Sequence, residues 1–484
     1  MSQRLAKTGR ALPAIRAVKN GLSPGRLLIA AAIFHLTVTA AVFGLGRFGL
    51  LPGTFNRDGI AVSFAPDGVM FHDGAAELSE LLGRGDFGGW IAAHQPFHVR
   101  LYSICYALFG PLVGKNIISA EPLNGSYYLA ILALVFNLGR GAFGRRAGLL
   151  AAGAVALWPS LLLHTTQPLR DQLFIIGALA FVLIVLRWLA RTYTWPEALS
   201  RAALGGLTAV LVWLARDNMA VMLIAAGLLG AGLLALRQFA PGRVQAANLV
   251  GMALMLALVV GAMRVMPKFR PPEDRKGQYQ NLVRQSVSGN LWERAVASVG
   301  LVRARFVYTY PDAGSNIDSD VQLDSFSDIT RYSPRAAAIG FFAPFPDTWF
   351  APGRSVGSSA KALVGVETLM LYLVEVLAVC GLWLGRRRLT VWLLFLSSAA
   401  GMFVLGLVVV NVGALYRLRY LFLITLIVLA AGAVARALSR TGRWGDTAEG
   451  APSGSEARPA QSSRPHLRQR LSAAGQAPDG PGWF

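Results

Sequence analysis

The sequence predicts an all-α polytopic membrane protein, a bundle of about ten transmembrane helices. Three observations carry that prediction. Hydrophobic residues make up 54% of the 484-residue chain against 15% charged, and its mean hydropathy is +0.49. The apolar residues fall into runs near the length that spans a hydrocarbon core, roughly 20 residues. Arginine and lysine gather at the ends of alternate runs, where the positive-inside rule places them.

The runs lie at 27–48, 117–138, 147–164, 170–187, 203–215, 218–236, 245–266, 362–384, 389–411 and 420–438. Basic residues from Arg4 to Arg26 precede the first run, which has no small-x-small cleavage site and reads as a retained span. The second run contains Pro122 and the fifth is short. With the N-terminus inside, the cytoplasmic turns are Gly139–Arg146, Arg187–Arg201, Arg237–Arg243, Arg386–Arg388 and the tail from Arg436. The acids agree: between the first and last spans, only Glu197 falls in such a turn, while Asp58 to Asp86, Glu121, Asp171 and Asp217 fall outside. The layout is then a basic cytoplasmic tail (1–26), a transmembrane core (27–266) with an outer loop at 49–116, a second outer region (267–361), C-terminal spans (362–438) and a Gly/Ser/Pro-rich tail (439–484) expected to be disordered. Both termini face the cytoplasm, and the membrane is the bacterial inner membrane.

Composition excludes several classes. The net charge of +21 sits at span ends, so it reads as topology and not as a nucleic-acid surface. Cys105 and Cys380 are the only cysteines, which excludes a disulfide framework. No internal repeat of the kind many transporters carry is present.

The first outer loop concentrates Asp58, Asp67, Asp73, Glu77, Glu80 and Asp86 with His72, His94 and His98. In FHDGAAELSELLG, Ala75, Ala76, Leu78, Leu81 and Leu82 share one helix face, so a short amphipathic helix on the membrane surface is expected, with Asp73 at its N-terminal end. Asp73 is there either a dipole-favoured cap or a general base at the lipid–water boundary. Asp171, next to Arg170 and near His164, opens a span from the same side and would orient the base or the acceptor. Arg417 and Arg419 occupy an outer turn against the positive-inside trend, where guanidinium groups grip phosphate. Arg216 either pairs with Asp217 or joins them. Glu375 lies at mid-membrane and faces the bundle interior. His94 and His98 have metal-like spacing, broken by Pro96; with His72 and Asp73 they form a possible site for a divalent metal, and His72 and His98 are otherwise counted as substrate-binding groups.

The order of these parts resembles the GT-C membrane glycosyltransferases, in particular protein O-mannosyltransferases and lipid A aminoarabinose transferases (glycosyltransferase family 39). The resemblance covers about residues 27–240. It rests on the first span, the acid of Asp73-Gly-Ala-Ala-Glu-Leu, the segment HQPFHVRLYSICYALFG, the span exit LGRGAFGRRAGLLAA, and Trp158-Pro159 before LRDQLF. It implies a catalytic acid in the first loop, at Asp73, with Asp58 and Asp67 as alternatives. It also implies inverting transfer of a sugar from a polyprenyl-phosphate donor to an acceptor hydroxyl of a glycan, lipid or protein. Catalysis is assigned to Asp73 and Asp171, and substrate binding to Arg417, Arg419, Arg170, Arg216, His72 and His98. The alternatives are an O-antigen or exopolysaccharide polymerase or ligase, which would not need the first-loop acids, and a non-enzymatic polysaccharide export or assembly protein.

Overall fold

A computed structural model describes residues 23–216, 219–240, 242, 244–265, 290–309, 311, 314–349 and 358–440, without the side chains of Ala220 and of 358–362. The basic segment 1–22, Asp217, residues 266–289 of the second outer region and the 441–484 tail lie outside the described residues.

The described residues are helical, with two isolated antiparallel bridges, Phe55 to Ala61 and Asn316 to Asn411. The helices are α1 (Pro24–Arg47), α2 (Asp67–Gly83), α3 (Phe87–Ala92), α4 (Phe97–Val113), α5 (Ile117–Phe143), α6 (Arg145–Ala156), α7 (Pro159–Thr165), α8 (Asp171–Ala190), α9 (Trp195–Ala215), α10 (Ala220–Phe239), α11 (Ala246–Val265), α12 (Leu291–Thr309), α13 (Phe326–Phe342), α14 (Ser358–Gly385), α15 (Leu389–Val408) and α16 (Val412–Arg440). Among the described residues nine helices are long and apolar enough to cross a membrane, ten if α6 and α7 count as one broken span. The chain is an all-α polytopic membrane protein.

Local signals set the helix ends. Ser23 accepts a bond from the Arg26 amide and Pro24 occupies the first turn of α1. Asn116 and Ser119 form a reciprocal capping box on α5, and Thr194 and Glu197 form another on α9. That second box starts α9 at Trp195, eight residues before the expected span at 203, so Glu197 belongs to a helix and not to a turn. Gly144, at φ 101°, alone separates α5 from α6. The tight return lets Gly139 and Gly148 touch backbone to backbone, leaving no room for a Cβ on either.

The span expected at 147–164 is bent by 70°. The residue before a proline is pushed out of the helical region, and Trp158, before Pro159, is extended. The chain stops at Ala156, restarts as α7 at Pro159 and unwinds again over 166–170 before α8. The last span also begins earlier than expected, at Val412, so Arg417 and Arg419 lie inside α16 and not in a turn.

Helices α8 and α16 are the centre of the bundle, buried nearly all round. Around them pack α5, α9 and α10 on the α8 side and α6, α14 and α15 on the α16 side. The surface helices α2–α4 cover the end from which α8 and α16 start. Helix α13 packs on α15, and buried Arg303 of α12 ties this region down through the carbonyls of Asp318, Val321 and Leu407. The arginines of Arg140 to Arg146, Arg187, Arg191 and Arg386 to Arg388 occupy the opposite ends of the same helices.

Candidate functional site

Four separate chain segments meet at the end covered by α2–α4. Asp67 is the first residue of α2, Arg170 and Asp171 stand at the start of α8, Arg216 follows the last residue of α9, and Arg417 lies in the second turn of α16. Arg417 donates from Nη2 to Asp67 Oδ2 at 3.0 Å, and its Nη1 is 4.0 Å from Asp171 Oδ2. Arg216 Nη2 donates to Asp171 Oδ1. The Arg170 guanidinium lies 5.9 Å from the centre of the Phe71 ring, and Phe71 meets His98 edge-on at 4.4 Å. The Asp171 side chain is 7% exposed and those of Arg417 and Arg216 are 12% and 13%. Among the described residues, three guanidiniums against two carboxylates, mostly out of water, leave a net positive cluster in which Coulomb forces are stronger than at a surface.

A buried polar scaffold holds the unwound segment that carries Asp171. His35 of α1 bonds Glu121 of α5 through Nδ1 (2.7 Å) and Thr165 through Nε2 (3.1 Å), while Thr39 donates to the other Glu121 oxygen. Asn124 accepts from Tyr102 and donates to the Thr166 carbonyl. Gln167 accepts from the Ala61 amide, and Gln172 donates back to the carbonyls of His164 and Gln167. The backbone freed by the helix break is thus paired inside the protein, which is what allows irregular structure at membrane depth. Glu121, expected at the outer side of the 117–138 span, is part of this scaffold near the start of α5.

The expected site residues divide. Asp171, Arg170, Arg216 and Arg417 come together. Asp73 does not: α2 starts at Asp67, so Asp73 is its seventh residue and is exposed, and Asp67 takes the helix-start position expected of Asp73. His72 turns away to Tyr106, 2.8 Å from Nδ1 to the hydroxyl. Burial lowers the pKa of His72 and lowers that of His98 to about 3, where Arg170 adds to the effect. His98 reaches the cluster through Phe71, and neither of its ring nitrogens has a described partner. Burial and the neighbouring Arg216 also lower the Arg170 pKa. Arg419 points away, donating to the Ala343 carbonyl at 2.7 Å and fixing the APFPDTW segment against α16. Glu375 is half-buried on α14, with Oε1 unbonded among the described residues.

A divalent cation fits this arrangement poorly. Among the described residues no group of three or more His, Cys, Asp or Glu side chains gathers as a ligand set, and His94 is exposed while His98 is buried. Asp67 and Asp171 are both engaged by guanidiniums. Sequence reasoning missed His35 and Glu367, the latter accepting a bond from Ser160. A histidine in the first span was a readable signal, because polar groups in a span need internal partners.

Fold and site together define a polytopic helical membrane protein with a buried, net positive charge cluster at one end of its bundle. No protein-family model matches the sequence, and no curated protein sequence matches it. Among solved structures, the archaeal oligosaccharyltransferase AglB from Archaeoglobus fulgidus, in complex with an inhibitory peptide and a dolichol-phosphate, is similar at a TM-score of 0.47 and 13% identity over 86% of this chain and 51% of that one. The apo form of the Archaeoglobus fulgidus oligosaccharyltransferase is similar at a TM-score of 0.47 and 15% identity, over 84% and 51%. The chain spans about half the length of the solved structures it matches.

Proposed function

We propose that this protein is a glycosyltransferase that moves a sugar from a polyprenyl-phosphate donor to an acceptor hydroxyl at the outer face of a bacterial inner membrane. The observation that carries the reading is the convergence, among the described residues, of Arg170, Arg216 and Arg417 around two carboxylates at one end of the bundle. Transfer from a lipid-linked phosphate leaves a phosphomonoester with one more negative charge than the donor. A preorganised guanidinium cluster stabilises that charge as it develops. Asp67 and Asp171 fix the guanidiniums in place. The exposed apolar residues Phe87, Ile91, Leu108, Phe109 and Leu112 of α3 and α4 suit helices lying in the interface, beside which a lipid carrier reaches the cluster. The order of sequence motifs from the first span to LRDQLF supports the same class. The acceptor is a glycan, lipid or protein hydroxyl.

The test is turnover in proteoliposomes with a panel of undecaprenyl-phosphate hexoses and pentoses. Wild type turns over at least one donor. Asp67→Asn and Arg417→Lys each lower kcat by about 100-fold or more, the usual scale for losing a preorganised charge contact, while Asp73→Asn stays within about threefold of wild type. A fully active Asp67→Asn would remove the cluster from the reaction and favour the polymerase or ligase reading. No turnover with any donor favours the assembly-protein reading.

A further inference from the structure

A groove of about 220 Å³ lies between the start of α1 and the later parts of α5 and α6, at the end of the bundle away from the charge cluster. We propose that it binds an anionic phospholipid, with an acyl chain in the groove and the phosphate on Arg140 and Arg145. Leu132 of α5 and Ala152 of α6, both buried, line it from within. Leu27 and Leu28 of α1 and Phe136 of α5, all half-buried, line it nearer the surface. The space exists because Ala133 and Ala152 bring only a methyl group each to a wall where a longer side chain would reach across to α1.

The lining alone would accept any hydrocarbon. At this volume the groove falls below the roughly 300–1,000 Å³ of a pocket that encloses a drug-sized molecule, and it suits a length of chain. Polar groups at its mouth choose the headgroup. On α5 the groove face runs through Leu132, Ala133, Phe136 and Asn137, and Arg140 is the next residue on that face. On α6 Arg145 lies two turns before Ala152 and shares its face. Both arginines are exposed, and the single residue Gly144 between α5 and α6 keeps them at one end of the groove. Two guanidiniums there suit the free oxygens of one phosphodiester. The ammonium of a zwitterionic lipid would stand against the same positive charges.

Asn137 sits between the apolar lining and the arginines. Its amide nitrogen donates one hydrogen to the Ala133 carbonyl at 2.8 Å, and the second suits the ester carbonyl that joins an acyl chain to its headgroup. Hydrocarbon, ester and phosphate thus meet apolar wall, amide and guanidinium in the order in which a phospholipid carries them. The chain before Pro24 adds Arg4, Lys7, Arg10, Arg16 and Lys19 and no acid. That charge is wrong for an occupant of a groove rimmed by arginines and right for attracting anionic lipid to this face.

The experiment is native mass spectrometry of the full chain in mild detergent with equal amounts of phosphatidylglycerol and phosphatidylcholine. Wild type retains phosphatidylglycerol about tenfold or more over phosphatidylcholine. Arg140→Gln combined with Arg145→Gln brings phosphatidylglycerol down by about tenfold or more, to the level of phosphatidylcholine. Ala133→Phe, which fills the groove and leaves both arginines in place, lowers it as far. Equal retention of the two lipids by wild type, or full retention of phosphatidylglycerol by either variant, overturns the proposal. So does its displacement by an equal amount of undecaprenyl phosphate, which would give the groove to a polyprenyl chain. If a variant fails to insert, cryo-electron microscopy of wild type in nanodiscs of brominated phosphatidylglycerol decides. Bromine density between α1 and α5–α6 supports the proposal, and an empty groove overturns it. None of these readouts depends on sugar transfer.

Discussion

His98 shows how a single side chain records its surroundings. Burial lowers its pKa to about 3, so the folded protein keeps it neutral where an exposed histidine, near 6.5, would be charged. Between those two values the unfolded chain binds one proton more than the folded one at this residue. Stability therefore falls as pH drops below about 6.5, by up to about 1.4 kcal/mol per pH unit from this group. His98→Gln should melt with a shallower loss between pH 6.5 and 4.5 than wild type, measured as Tm in detergent micelles. Arg417 and Arg419 show what sequence reading gets right and wrong at this scale. Both were readable as arginines at the wrong end of a span. Two residues apart on a helix point to opposite sides, so one joins the cluster and the other holds the Ala343 carbonyl. Nothing in the run NVGALYRLRY says which does which without the helix start.

Among the elements, the contact of α13 with α15 depends on two glycines. A Cβ on Gly406 would collide with the Ala336 carbonyl, and one on Gly340 with that of Met402. The helices approach closely because no side chain stands between them. Gly406→Ala should destabilise the protein by about 1–3 kcal/mol, as overpacking does, whereas Gly153→Ala in α6, with nothing near its Cβ position, should be neutral or stabilising by up to about 1 kcal/mol. Thermal unfolding of the two variants checks the contrast. The spans were legible because a lipid-facing helix must be apolar throughout. Their ends were not, because a cap is a few polar atoms: the box at Thr194 and Glu197 added eight residues to α9. The same limit moved Asp73 out of the helix start. Apolar spacing marked the face of α2, but its first residue is Asp67, after Pro66.

For the whole molecule, the arginines of one end and the site of the other set an orientation that labelling can read. With Cys105 and Cys380 replaced by alanine, Arg84→Cys, on the exposed end of α2, should react with a membrane-impermeant maleimide from outside intact spheroplasts. Arg145→Cys, at the opposite end of the bundle, should react only after lysis. The reverse pattern would invert the topology. Charge alone makes legible which loops share a face, and it puts Asp171, Arg216 and Arg417 on one side. Their pairing is not legible that way, since it depends on how α8, α9 and α16 pack. The partners come from stretches as far apart as Asp67 and Arg417, and this spacing has a consequence for synthesis. The ribosome releases Asp67 and Asp171 early, but the guanidinium that joins them arrives only with α16. Until that last described span enters the membrane, Asp171 lacks Arg417 and Asp67 lacks its ion pair. A chain arrested before that point carries most of the bundle and leaves the charge cluster unassembled.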